Sequence, residues 1–179
     1  MIEIRWHGRG GQGSFTAARI LGAAASVHGG KYAMAFPSFG PERRGAPVAG
    51  FTRISDEKIT DRSEIISPDY VIVLDETLWE NGVTNGLKED TVLIMNTDNP
   101  EKYEKIVSQK IVALDATSIA LDVLGLPITN TAMMGAFIAV SGHVSLEDAK
   151  KAIDDNLKPK VAGKNKDLLE KVYELVKGA

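Results

Sequence analysis

His7-Gly8-Arg9-Gly10-Gly11-Gln12-Gly13 joins two different periodicities in the chain. Before it, Ile2 to Trp6 alternates apolar and polar residues as a strand does; after it, an alanine-rich helical pattern runs from Ser14 to about His28. A strand, a glycine turn and a helix start form the setting in which Gly8, Gly10 and Gly13 match G-x-G-x-x-G with meaning. Glycine permits positive φ and the close approach of a ligand or a neighbouring chain. The free N–H groups of the helix start, backed by its dipole, favour an anion. Phosphate is the expected guest. The competing reading is a tight βα turn whose glycines serve helix–strand packing alone.

Charge favours the anion. Residues 1–54 carry seven Lys/Arg against two Asp/Glu, whereas residues 55–179 carry fourteen against twenty-two. No acid stands between Ile4 and Pro41, where Arg5, Arg9, Arg19 and Lys31 lie. The N-terminal third therefore reads as a surface for an anion or an acidic partner. It does not read as an NAD site, which wants an Asp or Glu about 20 residues beyond the glycines for the ribose. That window is His28-Gly29-Gly30-Lys31-Tyr32-Ala33, with no acid.

Working outward, Lys31 to Phe36 and Ala46 to Ile54 read as further strands, joined by the loop Pro37-Ser38-Phe39-Gly40-Pro41-Glu42-Arg43-Arg44-Gly45. Tyr70 to Leu74, Thr91 to Met95 and Ile111 to Leu114 are continuous apolar runs, as strands covered on both faces show. Ala116 to Leu124 is a short helix stopped by Gly125 and Pro127. Asn130 is placed to cap an apolar, buried helix over Thr131 to Ser141. Ser145-Leu146-Glu147-Asp148 has the form of a capping box for a helix bearing Leu146, Ala149, Ile153 and Leu157. Pro159 reads as a break before a last amphipathic helix containing Leu168, Leu169, Val172, Leu175 and Val176. The expected fold is α/β: a three-layer α/β/α sandwich, its sheet parallel or mixed, with the glycine-rich loop after strand 1. At 179 residues a single domain over 1–179 is expected.

Composition excludes several chemistries. There is no cysteine, hence no disulfide, no thiol nucleophile and no iron–sulfur cluster held by this chain's own thiolates. Three scattered histidines make no zinc site. The start, Met1-Ile2-Glu3-Ile4, lacks the form of a signal peptide, and Ala132 to Val140 is too short to span a membrane. A cytoplasmic protein is expected. No nucleophile, base and metal converge into a catalytic set. His7 borders the loop but reads as structural, and Asp75, Glu76 and Asp115 read as helix caps at strand ends. Arg43 and Arg44, on a loop stiffened by proline, suit phosphate or carboxylate.

The glycine stretch, the alanine-rich helix behind it and Phe36-Pro37-Ser38-Phe39-Gly40-Pro41-Glu42-Arg43-Arg44-Gly45 together resemble the gamma subunit of 2-oxoacid:ferredoxin oxidoreductases, of the pyruvate:ferredoxin oxidoreductase (pyruvate synthase) type. The likeness continues through Val71 to Asp75, Leu114 to Thr117 and the apolar helix after Asn130. It implies a heterotetrameric enzyme with alpha, beta and delta partners that decarboxylates a 2-oxoacid, forms acyl-coenzyme A and reduces ferredoxin. It further implies that thiamine diphosphate and iron–sulfur clusters lie on the other chains. This chain would hold no cofactor alone, supply no catalytic residue, and involve neither nucleic acid nor membrane. Gly8, Arg9, Gly10, Gly11, Gln12, Gly13, Arg43 and Arg44 are the residues expected near coenzyme A or a partner subunit. An indolepyruvate enzyme, a stand-alone phosphate- or nucleotide-binding module and an independent dehydrogenase are the competing readings.

Overall fold

The computed structural model describes residues 1–38 and 43–178. Its strands are β1 (Ile2–Arg9), β2 (Tyr32–Pro37), β3 (Pro47–Ser55), β4 (Tyr70–Val73), β5 (Val92–Asn96) and β6 (Lys110–Leu114). Its helices are α1 (Ser14–Ala23), α2 (Glu101–Glu104), α3 (Ala116–Leu124), α4 (Asn130–Ser141), α5 (Leu146–Asn156) and α6 (Pro159–Lys177). The strands form one mixed sheet in the order β2-β3-β1-β4-β5-β6. β1, β4, β5 and β6 run parallel, and β3 lies antiparallel between β2 and β1.

The two sheet faces are covered differently. Ile4, Trp6, Ile54, Ile72, Leu74 and Ile94 pack under α1 and α3 to α6. On the other face Val71, Val73, Leu93 and Met95 pack under Trp79, Val83 and Tyr103, which come from short helical turns. Residues 56–69, without regular structure, complete that side over β1 and β3. The sandwich is thus three-layered but lopsided. The apolar runs of β4 and β5 are buried on both faces, as a central parallel strand requires. α4 is buried from Asn130 through Ile138.

Strand alternation puts Arg5 and His7 on the thinly covered face, opposite Ile4 and Trp6. There Arg5, only 6% exposed, donates to the carbonyls of Val83 (3.0 Å) and Asn85 (2.6 Å), with longer bonds to Ile65 and Ile66. Arg53, 1% exposed, pairs with Glu3 and Asp61 and donates to the carbonyls of Asp61 and Ser63. Irregular backbone over a sheet leaves carbonyls in need of donors, and the two guanidiniums supply them. The surface reading of the N-terminal charge is corrected accordingly. Arg5 and Arg53 are interior, Arg9 is paired with Asp75 and Lys31 with Asp56, while Arg19, Arg43 and Arg44 are exposed.

Two helix starts also differ from expectation. Pro159 opens α6 rather than breaking the chain before it, because proline's missing N–H costs nothing in a first turn. The N-cap of α4 is Thr129, without a side-chain cap. Asn130 sits inside the helix, its Oδ1 accepting from the N–H of Thr131. Ser145 caps α5 as expected, accepting from the N–H of Asp148 at 3.0 Å. Asp115 caps α3 through Ser118.

Candidate functional site

The glycine stretch begins inside β1, where His7, Gly8 and Arg9 pair with Ala49, Val48 and Pro47 of β3. Beyond the strand the chain closes onto residues 43–46. Gly10 donates to the carbonyl of Ala46 (2.8 Å) and accepts from the N–H of Gly45 (2.9 Å), in a bridge between Gly10 and Arg44. A Cβ at Gly10 would lie 2.2 Å from the carbonyl oxygen of Arg43. The close neighbour that Gly10 admits is therefore the arginine segment of this same chain. Gly13 starts α1 with φ 81°, a left-handed conformation natural only to glycine. Gly8 gives room to Ser14, whose buried Oγ has no hydrogen-bond partner among the described residues. Gly11 is the exposed tip, φ 96°, with only Arg44 Cγ near a would-be Cβ.

Arg9 and Gln12 turn inward. Arg9 donates through Nε to Asp75 (3.1 Å), through Nη1 to the carbonyl of Gly45 (3.1 Å) and through Nη2 to Thr77 (2.7 Å). Gln12 accepts from the N–H of Arg9 (2.7 Å) and donates to Asp75 (3.0 Å). Arg43 and Arg44 point to the surface. Phe36 before them stacks on Phe51 at 5.1 Å. Phe39, Gly40, Pro41 and Glu42 of the same loop lie outside the described residues.

β1 and β4 are parallel neighbours whose chains leave in opposite directions, so their carboxyl ends form the crevice where α/β sheets place ligands. A crevice of about 490 Å³ opens beside Gln12 along the ends of β4 to β6, lined by Asp75, Glu76, Asn96, Asp98 and Asp115 among others. Burial pushes the Asp75 carboxyl up, but hydrogen bonds from Thr77 and Gln12 and the charge of Arg9 outweigh it and hold the group below the usual range. Four acids line the crevice, only Asp75 of them paired with Arg9, and such a lining disfavours an anion. The cationic side of the loop is instead the one bearing Arg43 and Arg44. The sequence presents Asp75 as a helix cap at the carboxyl end of a strand and carries no sign of its tie to Arg9. Asp75 does cap, accepting from Thr77, and the second role has no local signal across 66 residues.

His7 is a structural residue. It is 7% exposed and accepts at Nε2 from Arg5 (3.0 Å), so it is neutral. Burial first, and the charge of Arg5 second, push its pKa down to about 3. An unfolded histidine titrates near 6.5, so between pH 6.5 and pH 3 the unfolded chain binds a proton that the folded chain refuses. Stability must then fall as pH drops through that window. From pH 7 to pH 5 the chain is expected to lose about 2 kcal/mol more than a His7→Asn variant, read from urea midpoints. Equal losses would show that His7 protonates in the folded state.

The model of the pyruvate ferredoxin/flavodoxin oxidoreductase family matches residues 3–175. The chain belongs to that family. It is 56% identical to pyruvate synthase subunit PorC of Methanocaldococcus jannaschii, over 97% of this chain and 96% of that one. It is 49% identical to the pyruvate/ketoisovalerate oxidoreductases common subunit gamma of Pyrococcus abyssi, again over 97% and 96%. The crystal structure of pyruvate oxidoreductase subunit PORC from Thermotoga maritima superposes with a TM-score of 0.86 at 41% identity, over 97% of this chain and 95% of that chain. The oxidoreductase family thus accounts for the mixed six-stranded sheet, and its members named here are single subunits of larger enzymes.

Proposed function

We propose that this chain, as one domain over residues 1–179, is the gamma subunit of a heteromeric 2-oxoacid:ferredoxin oxidoreductase. The enzyme takes pyruvate, decarboxylates it oxidatively, forms acyl-coenzyme A and reduces ferredoxin, in the cytoplasm. The supporting observation is end-to-end likeness to gamma subunits in a chain whose one buried histidine is locked neutral and which has no cysteine. Alpha, beta and delta subunits then hold thiamine diphosphate and the iron–sulfur clusters, since clusters of this kind need thiolates. No helix among the described residues is long and apolar enough to cross a membrane. Purified natively with a tag, the chain is expected to bring down those subunits in equal amounts, read by mass spectrometry. Recovery of the chain alone would overturn the assignment.

Coenzyme A supplies the thiol that accepts the acyl group, and it carries phosphates. Among the eight candidate residues, Arg43 and Arg44 fit that anion best, being exposed cations on a segment anchored to Gly10. Gly8, Gly10 and Gly13 shape the loop, Arg9 and Gln12 hold it, and Gly11 keeps its tip free of a side chain. An Arg43→Ala/Arg44→Ala double variant is expected to raise the Michaelis constant for coenzyme A about tenfold or more, as loss of one or two charged hydrogen bonds does. Loss of subunit assembly would make the pair an interface instead. If both stay unchanged, the pair has no such role.

The Pyrococcus abyssi relative favours one further reading: a single gamma chain shared between a pyruvate enzyme and one for a branched 2-oxoacid.

A further inference from the structure

Gly45, the residue after Arg44, is not held by packing. It has φ 80°, and a Cβ there would meet nothing within 4 Å. What fixes it is a pair of hydrogen bonds, from its own N–H to the Gly10 carbonyl (2.9 Å) and from Arg9 Nη1 to its carbonyl (3.1 Å). Arg9 is itself fixed by Asp75. One Asp75 oxygen accepts from Arg9 Nε (3.1 Å) and Gln12 Nε2 (3.0 Å), while the other accepts from the N–H and hydroxyl of Thr77. The Asp75 side chain is 18% exposed and that of Arg9 33% exposed, so the pair is largely shielded from water. A carboxylate beyond β4 thus reaches the backbone next to Arg44 through one guanidinium.

We propose that Asp75 is a positioning residue, which through Arg9 holds the segment Arg43–Ala46 in the pose where Arg43 and Arg44 meet the phosphates of coenzyme A. The inference rests on the reading of Arg43 and Arg44 given above. Asp75 is assigned to act through Arg9 rather than on substrate or cofactor. Its charge matters because it keeps the Arg9 fork turned inward; a neutral partner frees that fork for water or for the anion itself. Asparagine at 75 retains an acceptor for the Thr77 cap while removing the charge, which separates positioning from capping.

The test uses the reconstituted oxidoreductase carrying Asp75→Asn, with hydrogen exchange and steady-state kinetics on the same preparation. Exchange at the Gly45 and Ala46 amides is expected to quicken about tenfold, the equivalent of one charged hydrogen bond. The Michaelis constant for coenzyme A is expected to rise by a similar factor, with that for the 2-oxoacid and kcat unchanged. Asp75→Glu is expected to restore both in part. Unchanged exchange overturns the proposal, and so does quicker exchange with an unchanged constant for coenzyme A. If the asparagine chain does not fold, Arg9→Met decides, since it leaves the Asp75–Thr77 cap intact; slow exchange at Gly45 and Ala46 in that variant overturns the proposal. The Arg43→Ala/Arg44→Ala variant, run in parallel, separates two failures. If it too leaves assembly and kinetics unchanged, the reading of the arginine pair has failed; if it alone has an effect, only the role of Asp75 has.

Discussion

Gly10→Val is expected to lower kcat/KM for coenzyme A of the assembled oxidoreductase about a hundredfold while the chain still folds. The first added carbon would stand 2.2 Å from the Arg43 carbonyl oxygen and 2.9 Å from its carbon, and both belong to backbone that no rotamer change can move aside. The segment 43–46 must therefore leave, taking with it the bonds Gly10 N–H to Ala46 and Gly45 N–H to Gly10. Two backbone hydrogen bonds contribute roughly 1–3 kcal/mol together, which a chain of this size tolerates. A displacement of about 1 Å at a positioning loop can cost about a hundredfold in rate. The core is remote from the change, because Ile4, Trp6 and the residues under α4 and α6 are untouched. Gly11→Ala is the contrast. Its Cβ would find only Arg44 Cγ, at 3.9 Å, so the variant suffers just the positive-φ penalty of about 1 kcal/mol. Thermal melting and steady-state kinetics on both variants check the pair. An unchanged kcat/KM for coenzyme A in Gly10→Val would mean that the seating of the arginine segment is irrelevant to the enzyme.

The fold was legible wherever burial leaves a local pattern. Val71 to Val73 and Leu93 to Met95 are covered on both faces and read as unbroken apolar runs. α4 is apolar all round for the same reason. Ser145 and Asp115 announced their helices because a cap bonds within three residues. What escaped the sequence is long-range and polar. Arg5 and Arg53 count as surface charge in a composition, and their burial follows from carbonyls offered by residues 61–66 and 83–85. Nothing near either arginine signals that cover. The tie between Arg9 and Asp75 is hidden in the same way, since it depends on β1 and β4 being parallel neighbours. The glycines were legible as a close approach, but the approaching group was read as a ligand's phosphate; at Gly10 it is the backbone of Arg43.

The largest effect of all is expected on activity itself: the purified chain alone should give no turnover with pyruvate, coenzyme A and an electron acceptor. Its sequence holds no thiol, and its three histidines are accounted for elsewhere. His7 is held neutral by burial and by Arg5, His28 bonds Asp155, and His143 stacks edge-on against Tyr70. Asp75 and Asp115, at the sheet edge where chemistry would sit, are engaged as caps and with Arg9. No group of three potential metal ligands occurs among the described residues.

The most direct test is therefore omission and add-back. The alpha, beta and delta subunits are assembled without this chain, and acyl-coenzyme A formation is followed before and after it is supplied in equal amount. The account predicts no sustained formation without the chain, none by the chain alone, and recovery on addition. Turnover by the chain alone, or full activity of the other subunits in its absence, would contradict it.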